Sequence, residues 1–108
     1  MSESGEETKQ VVTVFRSTLR PEAVGEYDVV SDQMVSLART MPGLLDYKTF
    51  SSEDGERVTI VTFASMDEHN AWRDHPEHGQ AQLLGRQRFY ASYAIQVCSV
   101  LKENRFSR

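Results

Sequence analysis

The sequence predicts an α+β fold with the element order β-α-β-β-α-β. Four segments rich in β-branched and aromatic residues, as strands are, begin near residues 10, 44, 57 and 90. Two stretches with helical periodicity separate the first strand from the second and the third from the fourth. In a chain of 108 residues, this order predicts a ferredoxin-like sandwich, in which helices cover one face of a four-stranded antiparallel sheet.

The first strand, residues 10–19, is followed by a long amphipathic helix. Both faces of the strand begin with a valine, Val11 on one and Val12 on the other, which indicates that both faces are covered. Pro21 suits the first helical turn, because the missing N–H has no helical partner there. Apolar residues then recur at spacings of three and four, at Ala23, Tyr27, Val30, Met34, Leu37 and Met41.

The middle of the chain predicts a β-hairpin. Residues 44–52 and 57–64 have the composition of strands, and the Asp54-Gly55 pair between them is typical of a tight turn. We therefore expect these two strands to pair antiparallel.

The remaining elements are a second helical region and a last strand. Ser65 precedes Glu68 by three residues, the spacing of a helix capping box. Pro76 interrupts this helix, and a further helical piece is expected from residue 77 to about 89. The last strand is expected over residues 90–101.

The outer boundaries follow from polarity. Residues 1–9 have no apolar anchor after Met1, which indicates a disordered leader. Residues 102–108 form a polar, basic C-terminal tail. The folded domain is therefore expected to span residues 10–101.

The composition excludes several classes of protein. The net charge of -4, with no basic stripe to neutralise phosphates, argues against a nucleic-acid partner. No apolar run approaches the roughly 20 residues that span a bilayer, and the acidic N-terminus is unlike a signal peptide. The single cysteine, Cys98, excludes an internal disulfide. We expect a cytoplasmic protein with no membrane partner.

The sheet face opposite the helices is expected to remain apolar. Val12 and Val14 lie on it, and so does one of the two apolar rows of the last strand. An uncovered apolar sheet face is normally buried by a second copy. We therefore expect a homodimer through this open sheet face.

The stretch Ser65–His78 concentrates the side chains that can bind or transform a small molecule. It holds the only Trp, Trp72, and all three His of the chain. Glu68, Trp72 and His75 fall on one helix face at spacings of four and three. Trp72 is expected between helix and sheet, where it either fills the core or lines a pocket.

The histidines favour acid–base chemistry over metal binding. His75 and His78 flank Pro76, but no Cys or carboxylate cluster completes a tetrahedral ligand set. His69 lies six residues before His75, so its side chain is expected to point away from that of His75. We expect one His to cap the second helical piece and another to face solvent or the pocket, where an imidazole can act as acid or base.

Further polar side chains are candidates for the same pocket. The candidate substrate-binding residues are Tyr27, Tyr47, Arg86 and Tyr90, and Asn70 is a candidate beside Trp72. The alternative for Arg86 is a solvated surface residue. The sequence has no Gly-rich phosphate loop and no flavin or nicotinamide fingerprint, so we expect neither cofactor nor metal.

With these residues in place, the chain resembles the antibiotic biosynthesis monooxygenase (ABM) superfamily. The resemblance covers roughly residues 10–101. Its most specific parts are the motif Trp72-x-x-His75-Pro76-x-His78 and the strand over residues 89–98. It implies a dimeric α/β barrel, in which two sheets pack face to face and each subunit holds a cavity between sheet and helices.

The resemblance implies functions that vary among members. Some oxidise polycyclic phenols or anthrones to quinones with molecular oxygen and neither metal nor flavin. Their pocket contains a Trp and an Asn, for which Trp72 and Asn70 are the nearest candidates here. Others degrade heme with a first-strand Asn and a His about ten residues after the Trp. This chain has no Asn on its first strand and Gln82 at the His position, which disfavours heme degradation.

The leading hypothesis is a cofactor-independent monooxygenase acting on an electron-rich aromatic of the quinol or anthrone type. His75 or His78 would deprotonate the substrate, while Trp72, Asn70 and Tyr90 would orient it and stabilise the developing oxyanion. The alternatives are a non-catalytic dimeric barrel that binds a small apolar ligand or serves only as a scaffold and, with less support, a heme-binding or heme-degrading protein.

Overall fold

The computed structural model describes residues 5–108, so residues 1–4 of the predicted leader lie outside it. Within this range the strands are β1 (Glu6–Glu7), β2 (Val11–Leu19), β3 (Leu44–Ser51), β4 (Arg57–Phe63), β5 (Tyr90–Ser99) and β6 (Lys102–Glu103). The helices are α1 (Val24–Ala38), α2 (Met66–Arg73) and α3 (Pro76–Leu84), with a 3-10 turn at Pro21–Ala23 and a π-helical turn at Gly85–Phe89.

The main sheet is antiparallel and has the spatial order β3-β4-β2-β5. This topology confirms the predicted α+β, ferredoxin-like fold. The helical region after β4 consists of two helices, because Pro76 begins α3 and has no N–H to continue the hydrogen bonding of α2. No described helix is long and apolar enough to cross a membrane.

The predicted hairpin between β3 and β4 is confirmed. The strands pair antiparallel, with Thr49 opposite Thr59, and their hydroxyls share a hydrogen bond of 2.9 Å. In the turn, the Asp54 carboxylate accepts a hydrogen bond from the Glu56 N–H at 2.9 Å. Gly55 has φ 91°, a left-handed conformation that glycine adopts without steric cost.

Two groups of buried side chains hold the helices on the sheet. One contains Ala38 of α1, Val61 and Phe63 of β4, and Trp72 of α2. The other contains Ala23, Tyr27 and Phe89. The predicted inward positions of the first helix therefore agree with the packing, and Ala38 adds a position that the periodicity did not single out.

The helices cover the edge strand β5 less than they cover the central strand β4. The side chains of β5 on the helix side, Tyr93, Ile95 and Val97, are 44%, 51% and 49% exposed. They face the space beside α3 and the π-helical turn and line the cavity described below. The edge of the sheet therefore forms one open wall of the site.

The opposite sheet face carries a band of apolar side chains. The paired residues Val14 and Ile60 lie at its centre and are half-buried. Phe50, on β3, is 47% exposed. This is the face on which a second copy was expected.

The two ends of the described chain pair with each other. Glu6 lies opposite Glu103, and Glu7 lies opposite Lys102, in a separate two-stranded ladder. Part of the predicted leader and part of the predicted tail thus have strand structure, which their polar composition did not indicate. Backbone hydrogen bonding, which is open to any non-proline residue, joins them. The domain boundaries at residues 10 and 101 stay a prediction.

Candidate functional site

A cavity of about 470 Å³ lies between the helices and the sheet. The sheet contributes Thr13, Phe15, Tyr47, Thr59, Val61, Tyr90, Tyr93, Ile95 and Val97 to its wall. The helices and the π-helical turn contribute Tyr27, Val30, Ser31, Met34, His69, Trp72, Arg73, His78, Ala81, Gln82, Arg86 and Phe89. Its size and largely apolar, aromatic wall are typical of a small-molecule site.

Trp72 belongs both to the core and to the cavity. Its side chain is 5% exposed and packs with Ala38, Val61 and Phe63. Part of the same side chain forms the cavity wall. Trp72 therefore both fills the core and lines a pocket, which the sequence had left as alternatives.

His75 is a structural cap. Its ring Nδ1 accepts a hydrogen bond from the Glu77 N–H at 3.2 Å, at the beginning of α3. It is not among the residues that line the cavity. The expectation that one His caps the second helical piece is confirmed, and His75, a candidate catalytic residue, lies outside the cavity wall.

His78 faces the cavity, and its tautomer is fixed by one contact. Its Nδ1 lies 3.0 Å from the Trp72 carbonyl oxygen. Because a carbonyl oxygen can only accept a hydrogen bond, Nδ1 carries the proton. The neutral ring therefore has its lone pair on Nε2. The ring is also stacked on the Trp72 indole, with centroids 4.1 Å apart and planes 14° apart.

The surroundings of His78 favour this neutral form. Burial lowers the pKa of the imidazole, and the charges of His75 and His69 lower it further, while the bond to the Trp72 carbonyl opposes the shift. The ring is thus mainly neutral at neutral pH, with its one proton on Nδ1. An imidazole with a free Nε2 lone pair in a cavity can accept a proton from a bound molecule.

His69 is a cavity residue that the sequence interpretation missed. It is 5% exposed, lines the cavity, and meets the ring of Phe63 edge-on at 6.4 Å. The spacing of six residues predicted only that His69 points elsewhere than His75, and His75 indeed lies outside the cavity wall. α2 turns His69 and Trp72, three residues apart, toward the sheet, and the spacing of this pair was the available signal.

Asn70 lies behind the cavity wall. It is not a lining residue, and its side-chain oxygen is 3.1 Å from Nδ1 of His69. Asn70 can therefore orient the His69 ring but does not reach a ligand directly. Glu68, expected on the same face as Trp72, instead closes the cap of α2: its N–H and carboxylate both bond to the Ser65 hydroxyl, at 3.4 and 3.0 Å.

The opposite end of the cavity is rich in tyrosine. Tyr90 lies 6.1 Å from Tyr27, 5.3 Å from Phe15 and 5.6 Å from Tyr93, measured between ring centroids. The Tyr90 ring lies against Gly85, at a position that a side-chain methyl group would fill. The π-helical turn places this glycine beside the ring, and such turns often occur at functional sites.

Two tyrosines of the cavity wall, Tyr47 and Tyr90, are held in the protonated form. Burial raises the pKa of Tyr47 to about 12. Burial, followed by the nearby Tyr27, Tyr47 and Tyr93, also raises the pKa of Tyr90. Both hydroxyls therefore remain hydrogen-bond donors at neutral pH and can stabilise negative charge on a bound oxygen.

The structure thus brings together most of the candidates chosen from the sequence. Trp72, His78, Tyr27, Tyr47, Tyr90 and Arg86 line one cavity, while Asn70 and His75 lie outside its wall. In the described part of the chain, no group of three or more His, Cys, Asp or Glu side chains is arranged to hold a metal ion.

Comparison with known proteins agrees with this fold. Residues 10–83 match the family model described as antibiotic biosynthesis monooxygenase, which confirms the resemblance found in the sequence. The chain is 37% identical over 93 residues to the uncharacterized protein YqjZ of Bacillus subtilis, which spans 86% of this chain and 82% of that protein.

Solved structures show the same architecture. Rv0793 from Mycobacterium tuberculosis has a TM-score of 0.79 and 23% identity, covering 89% of this chain and 99% of its own. SnoaB, a cofactor-independent oxygenase from Streptomyces nogalater, has a TM-score of 0.75 and 15% identity, covering 89% of this chain and 97% of its own. At these identities the likeness establishes a shared fold.

Proposed function

Because the chain belongs to the antibiotic biosynthesis monooxygenase family, we propose that its cavity oxidises an electron-rich aromatic of the quinol or anthrone type with molecular oxygen. The observation that carries the proposal is His78, a neutral imidazole that lines an aromatic cavity and has its lone pair on Nε2. The family match and the shared fold with SnoaB, a cofactor-independent oxygenase, support the reaction class.

The reaction begins with proton transfer to His78. Nε2 accepts a proton from an acidic C–H or O–H of the bound aromatic, which leaves a carbanion or phenolate. The imidazolium that forms is stabilised by its Nδ1–H bond to the Trp72 carbonyl. Trp72 also provides a flat surface beside the base, against which an aromatic ring can stack.

The deprotonated substrate then reduces oxygen directly. In an anthrone, the CH₂ carbon loses two hydrogens and gains one oxygen atom, and the second oxygen atom leaves with both hydrogens as water. Four electrons pass from that carbon to O₂. Negative charge that develops on the substrate oxygen is stabilised by the neutral hydroxyls of Tyr47 and Tyr90.

The functional unit in this proposal is a homodimer. The sheet face opposite the cavity carries Val12, Val14 and Ile60 half-buried and Phe50 47% exposed in the single chain. A second copy packed on this face removes their apolar surface from water. Light scattering during gel filtration measures the molar mass, and a mass of one chain at micromolar concentration contradicts the dimer.

Oxygen consumption tests the proposed activity. Purified protein is mixed with a panel of hydroxyanthrones and naphthohydroquinones in an oxygen electrode, with quinone formation followed by absorbance. We expect uptake above the uncatalysed rate, with one O₂ consumed for each anthrone converted. Absence of turnover with every member of the panel, combined with retained binding, favours the non-catalytic ligand-binding alternative.

A further inference from the structure

No carboxylate side chain of the described residues lines the cavity, although the protein is acidic. The chain holds 16 Asp and Glu residues and 12 Lys and Arg residues. Among the described residues that line the cavity there is neither Asp nor Glu, whereas two arginines, Arg73 and Arg86, stand on its exposed edge. Uncompensated positive charge at a cavity mouth favours the approach of anions.

The two arginines differ in what they already bind. The Arg73 guanidinium donates to both carboxylate oxygens of the adjacent Asp74, at 2.9 and 3.1 Å, so its charge is largely compensated. Arg86 takes part in no ion pair formed within residues 5–108. Its guanidinium N–H groups, in a planar fork that matches a carboxylate, are available to a ligand.

Arg86 lies on the same helix face as His78, the proposed base. His78, Gln82 and Arg86 recur every four residues along α3 and into the π-helical turn, and all three line the cavity. At the helical rise, the backbone positions of His78 and Arg86 are about 12 Å apart. This helix face therefore offers a base at one end, a cation at the other, and the amide of Gln82 between them.

We propose that the ligand of this cavity is an aromatic carboxylate. The fused rings lie against Trp72 and the tyrosine cluster, the carboxylate is bound by the fork of Arg86, and Gln82 donates a further hydrogen bond. A ligand held in this way presents the ring end remote from its carboxylate to Nε2 of His78. The inference rests on the proposed function for the identity of the site and adds the charge and orientation of the substrate.

Binding measurements test this charge preference without any turnover. Naphthoate and its uncharged, nearly isosteric amide, naphthamide, are titrated into the protein by calorimetry and by quenching of Trp72, the only tryptophan. We expect naphthoate to bind about tenfold more tightly, as a charge-assisted bidentate bond provides. The preference should shrink as salt is added, because both charges are solvent-accessible.

Two neighbouring arginines supply a matched pair of variants. Arg86→Gln should bind both probes equally. Arg88→Gln should keep the preference, since Arg88 is paired with Glu26 at 3.1 Å and does not line the cavity. Both are exposed, so neither change disturbs the core.

The outcomes separate this inference from the proposed function. Equal affinity of the two probes for the unaltered protein, binding of neither probe, or a preference that survives Arg86→Gln would overturn the inference. Selective naphthoate binding without oxygen uptake supports the inference while contradicting the oxygenase. A third outcome is equal binding of the two probes together with oxygen uptake on neutral anthrones at a rate that Arg86→Gln does not change. It would support the oxygenase and contradict the anion site.

Discussion

His78 is stacked on Trp72 with ring centroids 4.1 Å apart, and the same histidine donates its Nδ1–H to the Trp72 carbonyl oxygen at 3.0 Å. One residue of α2 thus holds a residue of α3 both through its side chain and through its backbone. Since the carbonyl fixes the tautomer, the orientation of the proposed base depends on the way the chain turns at Pro76.

The first prediction concerns the two imidazoles on either side of that turn. His78→Asn should lower kcat for oxygen uptake by about 100-fold or more, the usual contribution of a positioned general base. His75→Asn is the matched control, because asparagine is a favourable N-cap residue and His75 does not line the cavity. Full activity in His78→Asn would exclude this residue as the base.

The second prediction is a pH dependence of stability. Burial lowers the pKa of folded His78 from its ordinary value of 6.5, so the unfolded chain binds the proton more readily. Above about pH 6.5, His78 should therefore not lower the free energy of unfolding. Below that pH, the free energy of unfolding should fall as the unfolded chain takes up the proton.

Urea denaturation at a series of pH values measures this effect. The decline in the free energy of unfolding below pH 6.5 should be smaller in His78→Asn than in the unaltered protein. NMR titration of the His78 ring provides the direct comparison. A ring that titrates above the ordinary value would contradict the prediction.

The third prediction compares two glycines with helical backbone on α3 and its continuation. Gly85→Ala would place a methyl group inside the space of the Tyr90 ring and should displace Tyr90, weaken ligand binding and destabilise the fold by about 1–3 kcal/mol, as overpacking does. Gly79→Ala meets nothing within 4 Å and should stabilise the helix by about 0.5–1 kcal/mol.

Thermal unfolding and naphthoate titration of the two glycine variants test this contrast. A Tm that rises for Gly79→Ala and falls for Gly85→Ala is expected. Equal changes in both variants would show that the contact between Gly85 and Tyr90 has little energetic weight.

The fourth prediction concerns the cap of α2. Ser65→Ala removes the hydroxyl that accepts from the Glu68 N–H and donates to its carboxylate, and should lower the free energy of unfolding by about 1 kcal/mol. Ser36→Ala, on the exposed side of α1, should leave stability unchanged or slightly raised, since alanine is the better helix former. Chemical denaturation checks both, and equal values for the two variants would contradict the cap.

Much of the fold was predictable because the signals are local. The turn at Asp54-Gly55 and the cap at Ser65 each depend on residues within a few positions of one another, and both lie where the sequence placed them. The strand order followed from the order of the elements, since one hairpin and two helical crossovers leave few ways to pair four strands.

The ladder between the chain ends had no comparable signal. Glu6 and Glu103 are far apart in sequence and polar, so neither periodicity nor composition relates them. Backbone pairing of this kind depends on where the rest of the fold brings the two segments.

The sequence by itself showed where the candidate side chains are concentrated, in residues 65–78, and the tertiary structure decided which of them face the cavity. Helical spacing is compatible with two inward faces of α2, one with Glu68 and Trp72 and the other with His69 and Trp72. The period fixes the distance between positions but not which face of the helix lies on the sheet. Packing of Trp72 on Phe63 decided which face it is. It turned His69 inward and left Asn70 behind it, while the break at Pro76 assigned the cap to His75 and the cavity to His78.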